Sequence, residues 1–527
     1  MRILPKQGVN SSLAVALGLY GVACALTMLF SLHATDWRLV YPLDDTYISM
    51  AMAKNFAQHG VWGVCYYEFS SASSTPLFTF LLSVVYFLTE PNDWWPFLLA
   101  FAFGAGAIVA ADRVLRDYLS EYGRLITLSL LVLLTPLQVM AQTGMEHTLH
   151  IFLALLFLDR ASRAIADRRR MDYPLLFYAA LMTMARYEGL FLVASCAFFL
   201  AIRRSWRLSG AVILSALVPV AAYGLISVSK GWNFLPNSIL LKGTGVRSLS
   251  LQALLIVFQH MAVLMLGGLH VAALFLVLIV MLALMLKKDQ WGRPKLMIWL
   301  TLLALLGHLA FANIGWVYRY ESYLVAMAIM SFATTVVWCP QQNRLRIFLA
   351  LLIAGPLTLL TARAVNSAYL MPSIARTIYV QQYQTAIFLK RYYSGASVAA
   401  NDIGAINYKA DLKCLDLVGL ANRKVFYSKQ AHNYETSIIE AEALRMGTQI
   451  AVVYDDWFVK DPRYILCGPP LPTSWIRVGR MRIKDKLFLG GETVSFYAVK
   501  PEAKDRLVKV LHEFLSALPK DVEWLEN

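Results

Sequence analysis

Long apolar stretches recur along this chain from Ser12 to Arg363, and that recurrence decides what it can fold into. They lie at about 12–32, 76–89, 95–112, 124–141, 147–159, 173–186, 188–202, 209–229, 252–286, 296–313, 321–338 and 346–363. A helix crossing the hydrocarbon needs ~20 apolar residues, and only helices or closed barrels satisfy their backbone there. Of 527 residues, 58 % are hydrophobic and 15 % charged, where soluble domains have roughly 45–50 % and 25 %. Disordered, collagenous, coiled-coil and soluble globular chains are thereby excluded, leaving a polytopic α-helical membrane protein. The net charge of +15 is explained by Lys and Arg gathering in short loops on the inner membrane face. No nucleic-acid partner follows from it.

The segment at 76–89 fixes the expected topology. It has only about 14 residues, short of a span. If it does not cross, the loops holding Arg113/Arg116/Arg124, Arg160/Arg163/Arg168/Arg169/Arg170, Arg203/Arg204/Arg207, Lys287/Lys288/Arg293/Lys295 and Arg344/Arg346 all face the side of Arg2 and Lys6. If it crosses, they all face outward, against the positive-inside rule. The segment is therefore read as juxtamembrane or re-entrant. That gives about 11 transmembrane helices, with the N-terminus cytoplasmic and the C-terminus extracytoplasmic. Residues 12–32 read as a retained signal anchor, because no small-residue cleavage site follows. The pair within 173–202 is short, but Arg-bearing loops bracket it on both sides.

Composition changes at about 364. Residues 1–363 form the expected transmembrane domain, with an outer juxtamembrane loop at 33–94, and 364–527 an extracytoplasmic α/β domain. Its expected helices cover 374–393, 434–447 and 501–518. Its expected strands are 397–400, 413–418, 449–454, 475–483 and 486–499. Cys414 and Cys467 both fall in this tail, and their pairing is left open. Cys24, Cys196 and Cys339 read as small core residues.

The residues that carry chemistry lie in the outer segments. Asp44 and Asp45 are adjacent carboxylates close to a membrane surface, where a charge is costly unless solvated, paired or used. Asp45 could cap a helix over 46–58, with Ile48, Met52 and Phe56 as an apolar stripe and Gly60 as its end. Such a helix would lie flat on the membrane. A cap needs one carboxylate, so the second is available as a general base or metal ligand. Other outer segments add Glu146 and His147, Arg186 and Glu188, Asn237 and Lys242, and Arg319. Carboxylates and cations collected at one membrane level suit a reaction with an anionic leaving group.

These segments, taken in order, resemble the GT-C polytopic glycosyltransferases that use polyprenyl-phosphate sugars, and most resemble the bacterial terminal arabinofuranosyltransferases. The resemblance rests on Asp44-Asp45-Thr46-Tyr47-Ile48 with Asn55 and Gly60, and on Ser73-Ser74-Thr75-Pro76-Leu77. It continues through Thr143-Gly144-Met145-Glu146, Arg186-Tyr187-Glu188-Gly189, Leu235-Pro236-Asn237-Ser238 with Lys242, and Arg319-Tyr320. Asp402-Ile403-Gly404-Ala405-Ile406 and Asp416-Leu417-Val418-Gly419-Leu420 match motifs of the outer domain. Two departures stand out. Tyr187 replaces the family's Pro, and Cys65-Tyr66-Tyr67-Glu68-Phe69 replaces a Glu-Gly-Tyr run.

The resemblance implies an inverting glycosyltransferase of a bacterial inner membrane, working on the outer face. Its donor would be a polyprenyl-phosphate sugar, best matched by arabinofuranose, with mannose-type and aminoarabinose donors as alternatives. The acceptor would be a hydroxyl of a surface glycan or of a protein such as a pilin. Asp44, the favoured base, or Asp45 would deprotonate that hydroxyl. Asp45 and Glu188 would orient the base, or the Asp pair would hold an optional divalent cation. Lys242, Arg186 and Arg319 would hold the departing phosphate. Glu146, His147, Tyr47, Asn55 and Asn237 are expected at the sugar or the acceptor. A lipid-linked sugar transporter is the competing class. It should place ionisable groups at broken helices, whereas the spans here offer His260, His270 and His308, each read as packed against a carbonyl. A non-catalytic membrane scaffold would require neither the Asp pair nor the outer motifs.

Overall fold

The computed structural model describes residues 11–242, 250–285, 291–336, 343–458, 468–483 and 490–526. Arg2, Lys6, Lys287, Lys288, Cys339, Cys467 and the side chain of Lys242 lie outside what is described. Cys414 is a buried free thiol. The chain divides into two compact units. One comprises Met1–Met28, Phe97–Ala222 and Gly243–Tyr369; the other comprises Leu29–Pro96, Tyr223–Lys242 and Leu370–Asn527.

The first unit is helical throughout. Among the described residues of the whole chain, five helices are long and apolar enough to cross a bilayer: Ser11–Ala34, Trp95–Leu115, Trp206–Ser229, Arg293–Phe311 and Ile347–Tyr392. A bent pair can count as a sixth, and Pro76–Thr89, Tyr173–Ala185, Gly189–Ile202 and Ser322–Thr335 are apolar but shorter. Against about eleven expected crossings, five or six of the described helices thus reach the length and apolarity of a span, and two apolar runs are interrupted. The 124–141 run breaks into Glu121–Leu134 and Leu137–Gln142, because Pro136 has no N–H and its ring clashes with the preceding turn. The 252–286 run bends by 103° between Gly267 and Leu269. A Cβ at Gly268 would meet the Leu264 carbonyl oxygen at 2.9 Å, so the bend needs glycine.

Several basic loop residues are neutralised locally. Asp112 receives Arg116 at 2.6 Å and Arg124 at 2.8 Å. Asp172 receives Arg160 at 2.7 Å and Arg169 at 3.1 Å, while its Oδ1 caps the Tyr173–Ala185 helix through the Leu175 N–H at 3.1 Å. A buried carboxylate is tolerable only when paired and hydrogen-bonded in this way.

Deeper in this unit, His260 Nε2 meets the Ala312 carbonyl at 3.0 Å and His308 Nε2 the Asn313 carbonyl at 2.9 Å, as expected. His270 differs. Its Nε2 lies 3.1 Å from Glu321 Oε1, which also accepts from Arg363 Nε at 3.3 Å, and Arg363 further donates to the Leu134 and Tyr318 carbonyls. A carboxylate this deeply buried recruits every donor in reach.

The second unit carries a six-stranded mixed sheet: β1 (Ser397–Ala400), β2 (Lys413–Asp416), β3 (Ile450–Val453), β4 (Ile476–Ile483), β5 (Thr493–Ala498) and β6 (Val522–Glu526), in the order β2-β1-β3-β5-β4-β6. β2, β1 and β3 run parallel, and β3-β5, β5-β4 and β4-β6 are antiparallel. The five expected strands are present, the last within the described part of its range; β6 was not expected. Its five residues, Val522 to Glu526, mix two carboxylates with apolar side chains and give no continuous apolar signal, as an edge strand can. The helices Gly404–Ala410 and Arg423–Gln430 were also not expected. Each is under three turns, too short to register as a periodic pattern. The helices expected at 346–363 and 374–393 are one rod, Asn343–Ile378, continued by a π-helical turn at Tyr379–Tyr383 and by Gln384–Tyr392.

The helix expected over 46–58 runs from Asp44 to His59 and ends at Gly60, whose φ of 68° is the left-handed cap geometry glycine adopts freely. Two features differ from expectation. Leu43, not Asp45, is the N-cap residue, with no side-chain cap. Instead of one apolar stripe, every residue from Thr46 to Asn55 is buried. The helix packs against both Pro76–Thr89 and Gly404–Ala410.

Candidate active site

In the second unit, Asp44 caps a helix other than its own. Its Oδ2 accepts the Gly404 N–H at 2.7 Å and its Oδ1 the Ala405 N–H at 2.8 Å. These are orphan donors of the Gly404–Ala410 helix, so a carboxylate fits them electrostatically as well as by hydrogen bonding. The far end of that helix is held by Lys54, whose buried Nζ donates to the Tyr408 carbonyl at 2.6 Å and to Asp411 at 2.6 Å. Burial lowers the Lys54 pKa while Asp411 opposes that shift.

Burial, and then the nearby Asp402 carboxylate, push the Asp44 carboxyl well above the usual carboxylate range, against the pull of the two amides. Asp402 is raised as well, first by burial and further by the charges of Asp45 and Asp416; hydrogen bonds from Gln382 and Tyr454 oppose this. Two carboxylates this close cannot both ionise easily.

Gly404 permits the contact. A Cβ there would collide with the Asp44 carbonyl oxygen and lie 2.8 Å from Asp44 Oδ1. Gly404→Ala is therefore expected to lower stability by ~1–3 kcal/mol, the usual range for overpacking. Any chemical step that depends on the Asp44 carboxylate should slow on the order of 10²-fold, because the carboxylate would be displaced by a fraction of an ångström to an ångström. Thermal unfolding and the rate of that step on the full chain check this. An unchanged rate would show that Asp44 tolerates displacement.

Three other expected residues of this unit make structural hydrogen bonds. The Tyr47 hydroxyl accepts the Tyr41 N–H at 3.1 Å. Asn55 Nδ2 donates to the Gly63 and Val64 carbonyls at 3.0 and 2.8 Å. Asn237 Nδ2 donates to the Leu420 carbonyl at 2.9 Å. The Oδ1 atoms of Asn55 and Asn237 are buried without a protein partner. Lys242 is the last residue of the helix Asn237–Lys242.

The first unit holds a second charged cluster in its inter-helix turns. Arg186 Nη1 donates to Glu146 Oε1, Nη2 to Glu188 Oε1 at 2.5 Å and Nε to Glu188 Oε2 at 3.3 Å. Arg186 lies over the Tyr320 ring at 5.5 Å and Arg319 over the same ring at 5.0 Å. Arg319 also reaches Met145 Sδ at 2.8 Å and the Tyr320 hydroxyl at 3.2 Å. Burial raises Glu146 despite the attraction of Arg186. Burial also acts to raise Glu188, but Arg186 overrides it and holds that carboxyl down at about 2. His147 Nε2 lies 3.7 Å from Glu146 Oε1. His150, on the same helix, packs its ring 4.4 Å from that of Tyr323 and leaves Nε2 buried without a protein partner.

Two participants were not singled out from the sequence as site residues. Asp402 lies in a motif quoted for its resemblance alone, and its acidic side chain just ahead of a glycine was the available signal. His150 is three residues beyond His147 on one helix face, a spacing that places both rings together. Among the described residues, no group of three or more His, Cys, Asp or Glu side chains has the geometry to hold a metal ion.

The architecture is the GT-C membrane fold, with several apolar candidate spans and a C-terminal sheet domain. The solved structures it matches include ArnT from Cupriavidus metallidurans bound to undecaprenyl phosphate, at 14% identity and a TM-score of 0.54, covering 94% of this chain and 99% of that one. ArnT in the apo state matches at 13% identity and a TM-score of 0.53, over 93% of this chain and 99% of that one. The apo oligosaccharyltransferase of Archaeoglobus fulgidus is similar at 12% identity, over 99% of this chain and 76% of that one, with a TM-score of 0.49. A family described as a domain of unknown function (DUF8728) matches residues 374–497. No curated protein sequence matches the chain.

Proposed function

We propose that this chain is a glycosyltransferase that moves a sugar from a polyprenyl-phosphate donor to an acceptor hydroxyl on the outer face of a bacterial inner membrane. The observation that carries the reading is Asp44, whose carboxylate is oriented by two helix N-terminal amides and raised in proton affinity. A base works best when its pKa lies near the operating pH. The fold likeness to ArnT, solved with undecaprenyl phosphate, supports the donor class.

In the proposed reaction Asp44 takes the proton from the acceptor hydroxyl, and the oxygen attacks C1 of the sugar. The C1–O bond to phosphate breaks through a transition state with oxocarbenium character, and polyprenyl phosphate leaves with the bonding pair. A single displacement inverts C1. Arg319 and Lys242 meet the phosphate. Arg186 is engaged by Glu146 and Glu188; it contributes its charge and fixes both carboxylates. Glu146 and His147 are proposed for the sugar, while Tyr47, Asn55 and Asn237 hold local backbone in place through the hydrogen bonds described above.

Arabinofuranose is the proposed sugar, and a surface glycan or pilin-type protein the acceptor. Mass spectrometry of surface glycans and proteins, with and without this chain, tests both. A pentose-sized difference supports arabinose, and a hexose-sized one replaces it. Lys242→Ala is expected to weaken undecaprenyl phosphate binding about tenfold, the loss of one charge-assisted hydrogen bond. Tryptophan-fluorescence titration of the purified protein measures it, and unchanged affinity rejects the phosphate role.

One observation favours a lipid-linked sugar transporter as a second reading. The 103° break at Gly268 is followed at once by His270, with Glu321 and Arg363 buried against it. Broken helices beside ionisable groups mark many transport sites. Lipid-linked sugar crossing liposome bilayers that contain the purified protein, without sugar transfer, would support that reading.

A further inference from the structure

Two thiols that the proposed reaction does not use meet in the second unit. Cys65 lies in the loop at 60–75, within the stretch that departs from the family pattern, and Cys414 lies in β2. Both are buried free thiols. The unit contains the domain expected outside the membrane, the side on which thiol pairs are oxidised.

β2 ends the sheet, so one row of its backbone groups has no strand beside it. The Lys413 N–H donates to the Ala396 carbonyl at 3.0 Å, and the Leu417 N–H to the Ala400 carbonyl at 2.9 Å. Backbone N–H groups alternate in direction along a strand, so Cys414 turns its own N–H away from β1. The Cys65 sulfur receives that N–H. A second contact brackets the pair. The Cys65 thiol donates to Asn407 Oδ1 at 3.5 Å, and the same Asn407 side chain hydrogen-bonds the Cys414 sulfur. Asn407 is fixed from behind, its Nδ2 donating to the Ile403 carbonyl at 2.7 Å. A disulfide demands two neighbouring residues whose sulfurs turn toward a common point, and these contacts meet that demand.

The loop around Cys65 is shaped by local bonds. The Val64 N–H donates to Ser70 Oγ at 3.0 Å and the Ser70 N–H to the Trp62 carbonyl at 3.0 Å, while Asn55 holds the Gly63 and Val64 carbonyls. These bonds fasten the loop to itself and to the helix Asp44–His59; none of them reaches the sheet. Cys65 carries the loop to β2. Burial pushes the Cys65 thiol up to about 12 and the Cys414 thiol well above the usual thiol range. Thiols so reluctant to ionise are poor nucleophiles, so a bond between them is made before the loop closes over β2, not after.

We infer that Cys65 and Cys414 are joined by a disulfide as the domain folds outside the membrane, stapling the 60–75 loop to the open edge of the sheet. Each thiol gives up one proton and one electron as the S–S bond forms. The two electrons and two protons reduce the reactive disulfide of a thiol oxidase to a dithiol. The inference rests on the outer location of this domain and is independent of sugar transfer. It gives Cys414 a partner other than Cys467.

The test is peptide mapping of the full chain, isolated from membranes without reductant. Free thiols are blocked with N-ethylmaleimide in denaturant, and the digest is weighed by mass spectrometry before and after reduction. The expected result is a linked pair of peptides holding Cys65 and Cys414, two hydrogen masses lighter than their sum and separated by reduction. N-ethylmaleimide on both residues overturns the inference, as does a link from Cys414 to Cys467. Thermal unfolding gives a second readout. Scanned in dithiothreitol, the wild type should melt several degrees lower, while Cys65→Ser should be unmoved because it has no bond to lose; an equal shift in both overturns the inference. Location is tested separately with a membrane-impermeant maleimide on spheroplasts. It should label Leu444→Cys, an exposed position on the helix Thr436–Met446. Labelling with both native thiols free rejects the disulfide and leaves the outer location standing. Absence of labelling places the domain on the reducing side and rejects both.

Discussion

Asp44→Asn is expected to abolish sugar transfer while the protein still folds. General bases contribute about 10²–10⁴-fold, and an amide at this position has no proton affinity to offer. Asp44 accepts two backbone N–H groups, but an Asn side chain can accept through only one atom. Its NH₂ would then face an amide hydrogen of the Gly404–Ala410 helix. The exchange should cost ~1–2 kcal/mol, the range for one unmade hydrogen bond. A modest fall in melting temperature with transfer lost is the expected pair of results. Full transfer in a purified assay would remove Asp44 from the base role. A large loss of stability would show that the carboxylate serves chiefly as a helix cap.

Arg186→Met should have the largest effect on stability. Arg186 is the shared partner of Glu146 and Glu188, and Glu146 is wholly buried. Removing one partner of a buried pair leaves an uncompensated charge and destabilises by ~3–5 kcal/mol. Low yield and early unfolding are expected. The double variant Arg186→Met with Glu146→Gln should recover much of the stability, because the stranded charge is gone. Transfer should remain impaired, since the cation is still missing. If the single variant is as stable as wild type, the cluster is solvated and not a buried ionic core. If the recovered double variant transfers at full rate, Arg186 has no functional part.

Much of the architecture was legible because membrane insertion writes itself into composition. Each apolar run became helix, and the parallel strands β1 and β3 announced themselves as short Val, Ile and Ala runs. Where the reading failed, a long-range partner decided the outcome. Asp45 was the candidate cap for its own helix, a local rule. The cap that formed is Asp44 on Gly404 and Ala405, 360 and 361 residues away, and no local rule addresses that distance. His270 was assigned a carbonyl partner, but Glu321, 51 residues away, holds it instead. Arg186 and Glu188 were legible as a pair because they sit two apart. Their link to Glu146 requires the helices Tyr173–Ala185 and His147–Ala166 to pack, which apolar patterning alone leaves unspecified. The edge strand β6 and the helix Gly404–Ala410 were too short, and too dependent on tertiary contacts, to be seen in advance.

The knot of His270, Glu321 and Arg363 bears on how the chain is built. Its three members emerge from the ribosome in that order, separated by 51 and then 42 residues. Until the last of them arrives, the acidic member lacks its permanent cation in an environment that penalises a lone charge heavily. The nascent chain must therefore keep that region near the aqueous interface of the insertion machinery, or rely on the histidine as an interim partner. The arginine thus acts as a late latch, and successful closure reports that the upstream helices have already assembled.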